Sequence, residues 1–322
     1  MVDKKIQTIF HGGIREGDFL PKRDYFNSNL HKPLGRERIY IVNEASKICI
    51  NHINEELKDN FFNLHGPLIG NDERIGDHTI SIYTSEIDNF LKYPTEEYEF
   101  RRFLLDEDKK NIYFWTYHLG GYVEKQNWDA NAYICSGQIR KALFILSDFI
   151  LSYFSWWSIF QGGFIIHSAS IIKDGKAYLF FGPPESGKTT ICKLSSLLNL
   201  KIISDEYSMV LKSINGYRVY RPIQRKSLTI LDDWSKGYPI AGIYRLAQAK
   251  EHTIEKLPKP IIISEILANL LFAHGYNVLG RKAMDNACDI VENIDYGKLH
   301  FRKDYYFWEV LEKNVPFRKN TD

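Results

Sequence analysis

The sequence predicts an α+β protein with a β-rich N-terminal half and a C-terminal half in which strands and helices alternate. Two observations lead to this prediction. Short strand-like runs recur between residues 36 and 135, and a strand, a glycine-rich loop and an amphipathic helix follow one another over residues 177–198. A chain of 322 residues has the length of one large domain or two ordinary ones.

Three segments are expected along the chain: an irregular arm over residues 1–35, a β-rich domain over residues 36–135 and an α/β domain over residues 136–322. The arm carries charges and glycines but few periodic apolar positions. The β-rich domain contains strand-like runs, a hairpin around "DEDKK" and a strand followed by a helix; the runs are "RIYIV", "KICINHINEELKDNFF", "TISIY", "YEFRRFLLDEDKKNIYFWTYHL" and "NAYICS". Gly120-Gly121 predicts a further turn.

Composition excludes several classes of protein. The net charge is +2 and no lysine or arginine run is long enough to bind nucleic acid. Four widely separated cysteines without CxxC spacing indicate neither a zinc site nor a disulfide framework. The first residues lack the apolar core and cleavage site of a signal peptide, so we expect a cytoplasmic protein.

The apolar stretch "ALFILSDFILSYFSWWSIF" at residues 142–160 is nearly long enough to span a bilayer. It contains Asp148, however, and Ser152 and Ser155 follow at helical spacing, which gives one polar stripe. The pattern favours a buried helix with a polar edge, and no membrane partner is expected.

The run "FIIHSASII" predicts a strand, Asp174-Gly175 is a hairpin dipeptide, and "AYLFF" predicts the returning strand. The strand that enters the glycine-rich loop should therefore pair antiparallel with its predecessor. After the loop, Ile191, Leu194 and Leu198 recur on one face of a predicted helix.

The loop itself fits GxxxxGK[ST]. In this motif backbone N–H groups point at phosphate oxygens, the lysine reaches the outer phosphates, and the hydroxyl binds Mg²⁺. The N-terminus of the following helix adds its dipole. The residues expected to contact a nucleotide are Gly182, Glu185, Ser186, Gly187, Lys188, Thr189 and Thr190.

A phosphate loop that works with a metal also needs carboxylates. The run "LKIIS" ends in Asp205-Glu206, and this pair would reach the loop if the run paired beside "AYLFF". One carboxylate can then hold Mg²⁺ with Thr189, and the other can accept a proton from an attacking hydroxyl.

Two further side chains, those of His167 and Arg221, each have two possible roles. Alternation places His167 on an apolar strand face, either as a core histidine or as a group near the terminal phosphate. Arg221 is the first basic residue after the run "YRVY", either as a surface residue or as a group that binds phosphate or a substrate carboxylate. The sequence leaves both pairs of readings open.

The stretch "HSASIIKDGKAYLFFGPPESGKTTICKLSSLLNLKIISDEYSMVL" resembles the C-terminal catalytic domain of HPr serine kinase. It is more similar to the shorter HPr-kinase-related proteins of bacterial peptide-modification clusters, including kinases of lasso-peptide precursors. The resemblance covers roughly residues 140–312. It implies a P-loop kinase fold related to phosphoenolpyruvate carboxykinase, Mg²⁺, and ATP or another nucleoside triphosphate as phosphate donor.

The resemblance also implies residue roles. Lys188 and Thr189 would bind nucleotide and metal, Asp205 would be the general base, Glu206 the second acid, and His167 the histidine near the phosphates. HPr kinases usually carry a second aspartate at the position of Glu206. Pro183-Pro184 also departs from the family and removes two N–H donors from the loop.

The implied function is a bacterial cytoplasmic kinase that phosphorylates a hydroxyl, with serine of a peptide or small protein favoured. The β-rich half would select this substrate, and assembly of the chain into a homo-oligomer stays open. The alternatives are a kinase for a small metabolite, a nucleotide-dependent switch with little transfer activity, and a degenerate enzyme that binds a peptide without chemistry.

Overall fold

In a computed structural model of the chain, the described residues are 7–8, 23–27, 31–70, 76–86, 90–91, 104–137, 142–224, 228–271 and 277–314. They form two β-sheets and six α-helices, which confirms a mixed fold of the α+β kind. The chain divides into two compact units, Met1–Tyr153 with His274–Val278, and Phe154–Ala273 with Leu279–Asp322. This division falls within a helix, and the domain bounds drawn from the sequence stay a prediction.

The first unit is built on a mixed sheet of ten strands. The strands are β1 (Gln7–Thr8), β2 (Lys32–Pro33), β3 (Glu37–Asn43), β4 (Ser46–Ile53), β5 (Ile69–Gly70), β6 (His78–Ser85), β7 (Leu104–Glu107), β8 (Asn111–Trp115), β9 (Leu119–Glu124) and β10 (Ala130–Cys135). They lie in the order β1-β7-β8-β9-β10-β6-β4-β3-β5, with β2 also beside β6. The helices are α1 (Glu55–His65) and two 3₁₀ helices, Arg23–Asn27 and Gly66–Leu68.

Most sequence patterns of this unit form the expected elements. β7 and β8 pair antiparallel as the hairpin around "DEDKK", and β4 is followed directly by α1. The helix begins at Glu55 because the side chain of Asn54 accepts a hydrogen bond from the backbone N–H of Leu57 at 2.9 Å. Ile48 and Ile50 of β4 are fully buried in the core.

The turn predicted at Gly120-Gly121 is wrong, since both glycines lie inside β9. A Cβ atom on Gly121 would come within 2.1 Å of the backbone oxygen of Asn131, and one on Gly120 within 2.9 Å of the Phe90 ring. The glycines therefore permit close approach of neighbouring groups to the strand. The chain turns just before them, where the N–H of Thr116 donates to the carbonyl of Leu119.

Helix α2 (Ala142–Phe160) has the predicted bounds, and its serines are buried rather than exposed to solvent. The hydroxyls of Ser152, Ser155 and Ser158 donate to the backbone carbonyls of Asp148, Leu271 and Ser155. The polar edge is thus satisfied by carbonyl oxygens, as buried hydroxyls require. Among the described residues, no helix combines the length and apolar character needed to cross a membrane.

The second unit alternates strands and helices. After α2 its elements are β11 (Phe164–Lys173), β12 (Lys176–Phe181), α3 (Lys188–Ser196), β13 (Lys201–Ser204), β14 (Tyr207–Ser213), β15 (Gly216–Tyr220), β16 (Tyr238–Gln248), β17 (Thr253–Glu255), α4 (Lys259–Ala268), α5 (Asn277–Asn293), β18 (Asp295–Phe301) and α6 (Phe307–Asn314). The strands lie in the order β12-β11-β14-β15-β16-β18-β17, with β13 also beside β11.

Strand β12 joins two parts of this sheet. It pairs antiparallel with β11, as the hairpin pattern predicts, and parallel with β16. β16 in turn pairs parallel with β18, so β12, β16 and β18 run in the same direction. The carboxyl ends of these three strands therefore lie at one edge of the sheet.

The core of this part of the sheet lies beneath α3. Ala169 and Ile171 of β11 pack in one apolar cluster with Ile191 and Cys192 of α3. All four side chains are fully buried. The face of β11 that carries the odd-numbered residues is therefore the face that α3 covers, and His167 lies on it by alternation.

The β11–β12 turn depends on left-handed backbone angles, with φ of 51° at Asp174 and 74° at Gly175. A Cβ atom on Gly175 would meet no atom within 4 Å, so a substitution there changes only backbone strain.

We expect Gly175→Ala to lower the free energy of unfolding by about 1 kcal/mol, measured by urea denaturation. Gly175→Asn is the matched control and should cost less, because asparagine tolerates this conformation; equal effects of the two changes would contradict the account.

Candidate functional site

The glycine-rich loop connects β12 to α3 over residues 182–187. Its turns use positive φ angles of 150° at Gly182, 63° at Glu185 and 107° at Gly187. Gly187 is the N-cap of α3, and a Cβ atom there would come within 2.6 Å of the Phe301 ring. Glycine is therefore required at residue 187 for both its backbone angle and its space.

Lys188 is the first residue of α3, and its side chain extends back into the loop. Its side chain is buried, and Nζ donates to the carbonyl oxygen of Gly182 at 2.8 Å and to that of Pro183 at 3.3 Å. Burial lowers the pKa of this ammonium group. The hydrogen-bond partners of the lysine ammonium group are thus carbonyl oxygens of the loop itself.

The two prolines are exposed and form the outer side of the loop. The carbonyl of Pro183 accepts the N–H of Ser186 at 3.2 Å, which closes a tight turn. The hydroxyl oxygen of Ser186 is buried and has no hydrogen-bond partner among the described residues. A buried hydroxyl without a partner is rare, and an anion in the loop would provide one.

The acid pair lies between β13 and β14, in a turn that Ser204 holds. The Ser204 hydroxyl oxygen accepts the backbone N–H groups of Glu206 at 3.0 Å and Tyr207 at 3.1 Å. The side-chain amide of Gln224 donates to the same oxygen at 2.9 Å. These contacts fix the backbone of the turn that carries Asp205 and Glu206.

The strand before the acid pair does not lie directly beside β12. β13 pairs with β11, which separates it from β12. The arrangement considered from the sequence has this strand directly beside β12, whereas β11 lies between the two. On one edge of β11, Ser168 lies opposite Phe181 of β12. On the other edge, the N–H of Ser168 donates to the carbonyl of Glu206 at 3.0 Å. The start of the loop and the acid pair are thus two strand spacings apart, about 10 Å.

His167 lies next to Ser168 on β11, and its ring centroid is 5.3 Å from that of Tyr207. Burial and, to a smaller extent, the positive charge of Lys188 lower the pKa of His167, the negative charge of Asp205 opposes them, and the net pKa is about 4. The imidazole is therefore neutral at pH 7. The charges of Lys188 and Asp205 therefore both act on this ring, with opposite signs.

The two carboxylates have different surroundings. Burial raises the pKa of Glu206, and the negative charge of Asp205 adds to the increase. Asp205 accepts the backbone N–H of Leu228 on Oδ1 at 2.7 Å. One oxygen of Asp205 therefore has a fixed orientation, as a positioned base or metal ligand requires.

The two threonines of the motif begin α3. Thr189 is exposed in the first turn, and Thr190 is half-buried. Within the described parts of the chain, no three His, Cys, Asp or Glu side chains are grouped as a metal site. The oxygen donors that the sequence predicts as metal ligands are the Thr189 hydroxyl and the carboxylates of Asp205 and Glu206.

Arg221 is buried, with 3% of its surface exposed. Its guanidinium donates to the Thr229 hydroxyl at 3.0 Å and to the Pro222 carbonyl at 3.1 Å, and lies 4.0 Å from the centre of the Trp234 ring. No carboxylate of the described residues forms an ion pair with it, and burial lowers its pKa to about 10. These contacts hold the segment after β15, and a role towards substrate stays a prediction.

Two residues that position the loop carry no motif in the sequence. The side-chain amide of Gln248, at the end of β16, donates to the carbonyl of Glu185 at 2.8 Å. Phe301, at the end of β18, fills the space beside Gly187. No local signal in the sequence distinguishes either residue, since each simply ends a strand.

Comparison with models of known protein families gives no match to this chain, and comparison with curated proteins also gives none. The loop, His167 and the acid pair are therefore the features from which a function can be proposed.

The lowered pKa of His167 predicts a pH effect on stability. Between pH 6.5 and about 4 the unfolded chain binds a proton at this residue and the folded chain does not, so stability falls as the pH falls through this window. We expect His167→Gln to lose less stability than the natural protein between pH 7 and pH 4.5, measured by urea denaturation at each pH.

Comparing the two proteins isolates His167 from Glu206, whose raised pKa acts in the opposite direction. Equal losses of stability in the two proteins would show that His167 titrates normally.

Proposed function

We propose that the chain is an ATP- and Mg²⁺-dependent kinase that transfers the γ-phosphoryl group to a hydroxyl, with serine of a peptide or small protein as the favoured acceptor. The observation that carries this proposal is the pairing of β11 with β12 on one edge and with β14 on the other, which places His167 and the acid pair within two strand spacings of the glycine-rich loop. A phosphate loop alone fits many nucleotide-binding proteins. A carboxylate about two strand spacings away adds a group that can accept the proton of a hydroxyl.

The residues of the loop fit a phosphate chain. The unpartnered hydroxyl of Ser186 and the ammonium of Lys188 both lie inside the loop, and the N-terminus of α3 begins at its end. Phosphate oxygens would accept hydrogen bonds from these groups. On binding, we expect Lys188 Nζ to exchange the Gly182 carbonyl for a phosphate oxygen.

The oxygen donors near the loop also fit Mg²⁺, which prefers carboxylate and hydroxyl ligands together with phosphate. Thr189, Asp205 and Glu206 are the residues that would hold it, directly or through water. When bound, Mg²⁺ neutralises charge on the phosphates and orients the transferring group.

In the proposed reaction, the acceptor oxygen forms a bond to the γ-phosphorus while the bond from that phosphorus to the β–γ bridging oxygen breaks. ADP leaves with that oxygen, and the hydroxyl proton passes to Asp205. Lys188 balances negative charge on the phosphates. His167 is neutral at pH 7, so it can donate a hydrogen bond to a phosphate oxygen, or accept one from the acceptor hydroxyl, without adding charge.

The antiparallel β11–β12 hairpin supports the relationship to the HPr kinase and phosphoenolpyruvate carboxykinase fold. An ordinary P-loop nucleotidase has parallel strands around its loop, whereas here the strand before the loop has an antiparallel neighbour on one side. We further propose that the β-rich first unit recognises the substrate and that the kinase acts in the bacterial cytoplasm.

A nucleotide-dependent switch is the second candidate. The hydrogen bond from the Leu228 N–H occupies Oδ1 of Asp205 and favours a structural role for this carboxylate. A switch would bind nucleotide through the same loop and transfer little phosphate. The two functions therefore differ in what the loss of the Asp205 carboxylate does.

We expect Asp205→Asn to transfer phosphate from labelled ATP at least about 100-fold more slowly than the natural protein, because the amide cannot accept the proton. The acceptors to test are serine-containing peptides encoded beside this gene, with phosphopeptide measured by mass spectrometry. Asp232→Asn is the matched control, since Asp232 has 86% of its side chain exposed. Equal turnover by Asp205→Asn and the natural protein would remove Asp205 as the base.

Binding is measured separately, as the stabilisation of the folded protein by Mg·ATP. Lys188→Ala should lose most of this stabilisation, and Lys193→Ala, an exposed lysine on the same helix, should keep it. Stabilisation of the natural protein without any transfer to a hydroxyl would favour the switch.

A further inference from the structure

The phosphate loop shares its edge of the sheet with two other loops. β12, β16 and β18 run parallel and end at Phe181, Gln248 and Phe301. The segments after these strands are the phosphate loop, residues 249–252 and residues 302–306. In α/β sheets ligands bind outside the carboxyl ends of parallel strands, so all three segments border the place where a nucleotide would extend.

Hydrogen bonds connect the three segments. Gln248 donates to the carbonyl of Glu185 in the phosphate loop at 2.8 Å. His252 Nε2 lies 2.7 Å from Oδ1 of Asp304, and the same oxygen accepts the N–H of Tyr306 at 3.1 Å. The segment 302–306 is therefore held in a defined position relative to the loop.

Two adjacent aromatic side chains are exposed on this segment. Tyr305 and Tyr306 have 37% and 46% of their surface accessible, and no other tyrosine of the described residues is exposed. Their ring centroids are 4.7 Å apart, at an angle of 37°. The next two residues, Phe307 and Trp308, are buried in the core and hold the tyrosines at the surface.

Strand order gives the direction of the bound nucleotide. The acid pair lies on the β11 side of β12, whereas β16 and β18 lie on the other side. A nucleotide whose γ-phosphate faces Asp205 can extend its ribose and base towards β16 and β18, on the side of the loop opposite the acid pair. The distance from β12 to β18 is two strand spacings, about 10 Å.

We propose that Tyr305 and Tyr306 form the nucleobase subsite, on which the base of the bound nucleoside triphosphate stacks. Aromatic side chains bind bases in this way because every base presents a π-face. This inference rests on the proposed function, since it requires the triphosphate to occupy the loop. It assigns a binding role to residues that take no part in the transfer itself.

The test compares two ligands by calorimetry, Mg·ATP and Mg·tripolyphosphate. Tyr305→Ala and Tyr306→Ala should each weaken Mg·ATP binding about tenfold, as expected for loss of base stacking. Both variants should bind Mg·tripolyphosphate as tightly as the natural protein, which also shows that their phosphate loop is intact. Tyr305→Phe and Tyr306→Phe keep the rings and should bind Mg·ATP normally.

The outcomes separate the two claims. Unchanged Mg·ATP binding by both alanine variants would overturn the nucleobase subsite and leave the phosphate site standing. Mg·ATP binding no tighter than Mg·tripolyphosphate binding in the natural protein would also overturn it. Failure of the natural protein to bind either ligand would overturn the proposed function, and the subsite with it.

Discussion

The buried ammonium of Lys188, held against the carbonyls of Gly182 and Pro183, is the interaction on which the site depends. A buried cation is costly unless oxygen atoms surround it. The left-handed backbone at Gly182, Glu185 and Gly187 bends the chain so that it encloses this charge. The loop backbone therefore sets the position of the lysine, and under the proposed function a phosphate oxygen would replace a carbonyl as its partner.

Strand β11 connects this loop to the acidic side chains. Through Ser168 it lies beside the end of β12 on one edge and beside Glu206 on the other. On the face covered by α3 it carries His167, whose pKa responds to both Lys188 and Asp205. A single strand thus sets the distance between the glycine-rich loop and the carboxylates, which under the proposed function would hold the metal and face the transferring phosphoryl group.

The parts of this arrangement that could be predicted are those with local causes. Asp174-Gly175 specifies the hairpin through its backbone angles, and the loop motif specifies where α3 begins. Gly120-Gly121 misled the prediction because glycine serves close packing as well as turns. A local pattern cannot distinguish the two uses.

The remaining features depend on pairing between distant segments. Nothing in "LKIIS" indicates that it pairs with β11 rather than β12, and nothing near Arg221 indicates that Trp234 covers it. Gln248 and Phe301 are likewise ordinary strand residues until the parallel order of β12, β16 and β18 brings them to the loop. Long-range topology, which is absent from local periodicity, determines these contacts.

A crystal structure with Mg²⁺ and a non-hydrolysable ATP analogue tests the central claim most directly. The account predicts that the phosphate chain lies between the loop and Asp205, with Lys188 Nζ bonded to a phosphate oxygen in place of the Gly182 carbonyl. An analogue bound elsewhere, or a lysine that still contacts only its carbonyls, would contradict the assignment of this loop as a nucleotide site.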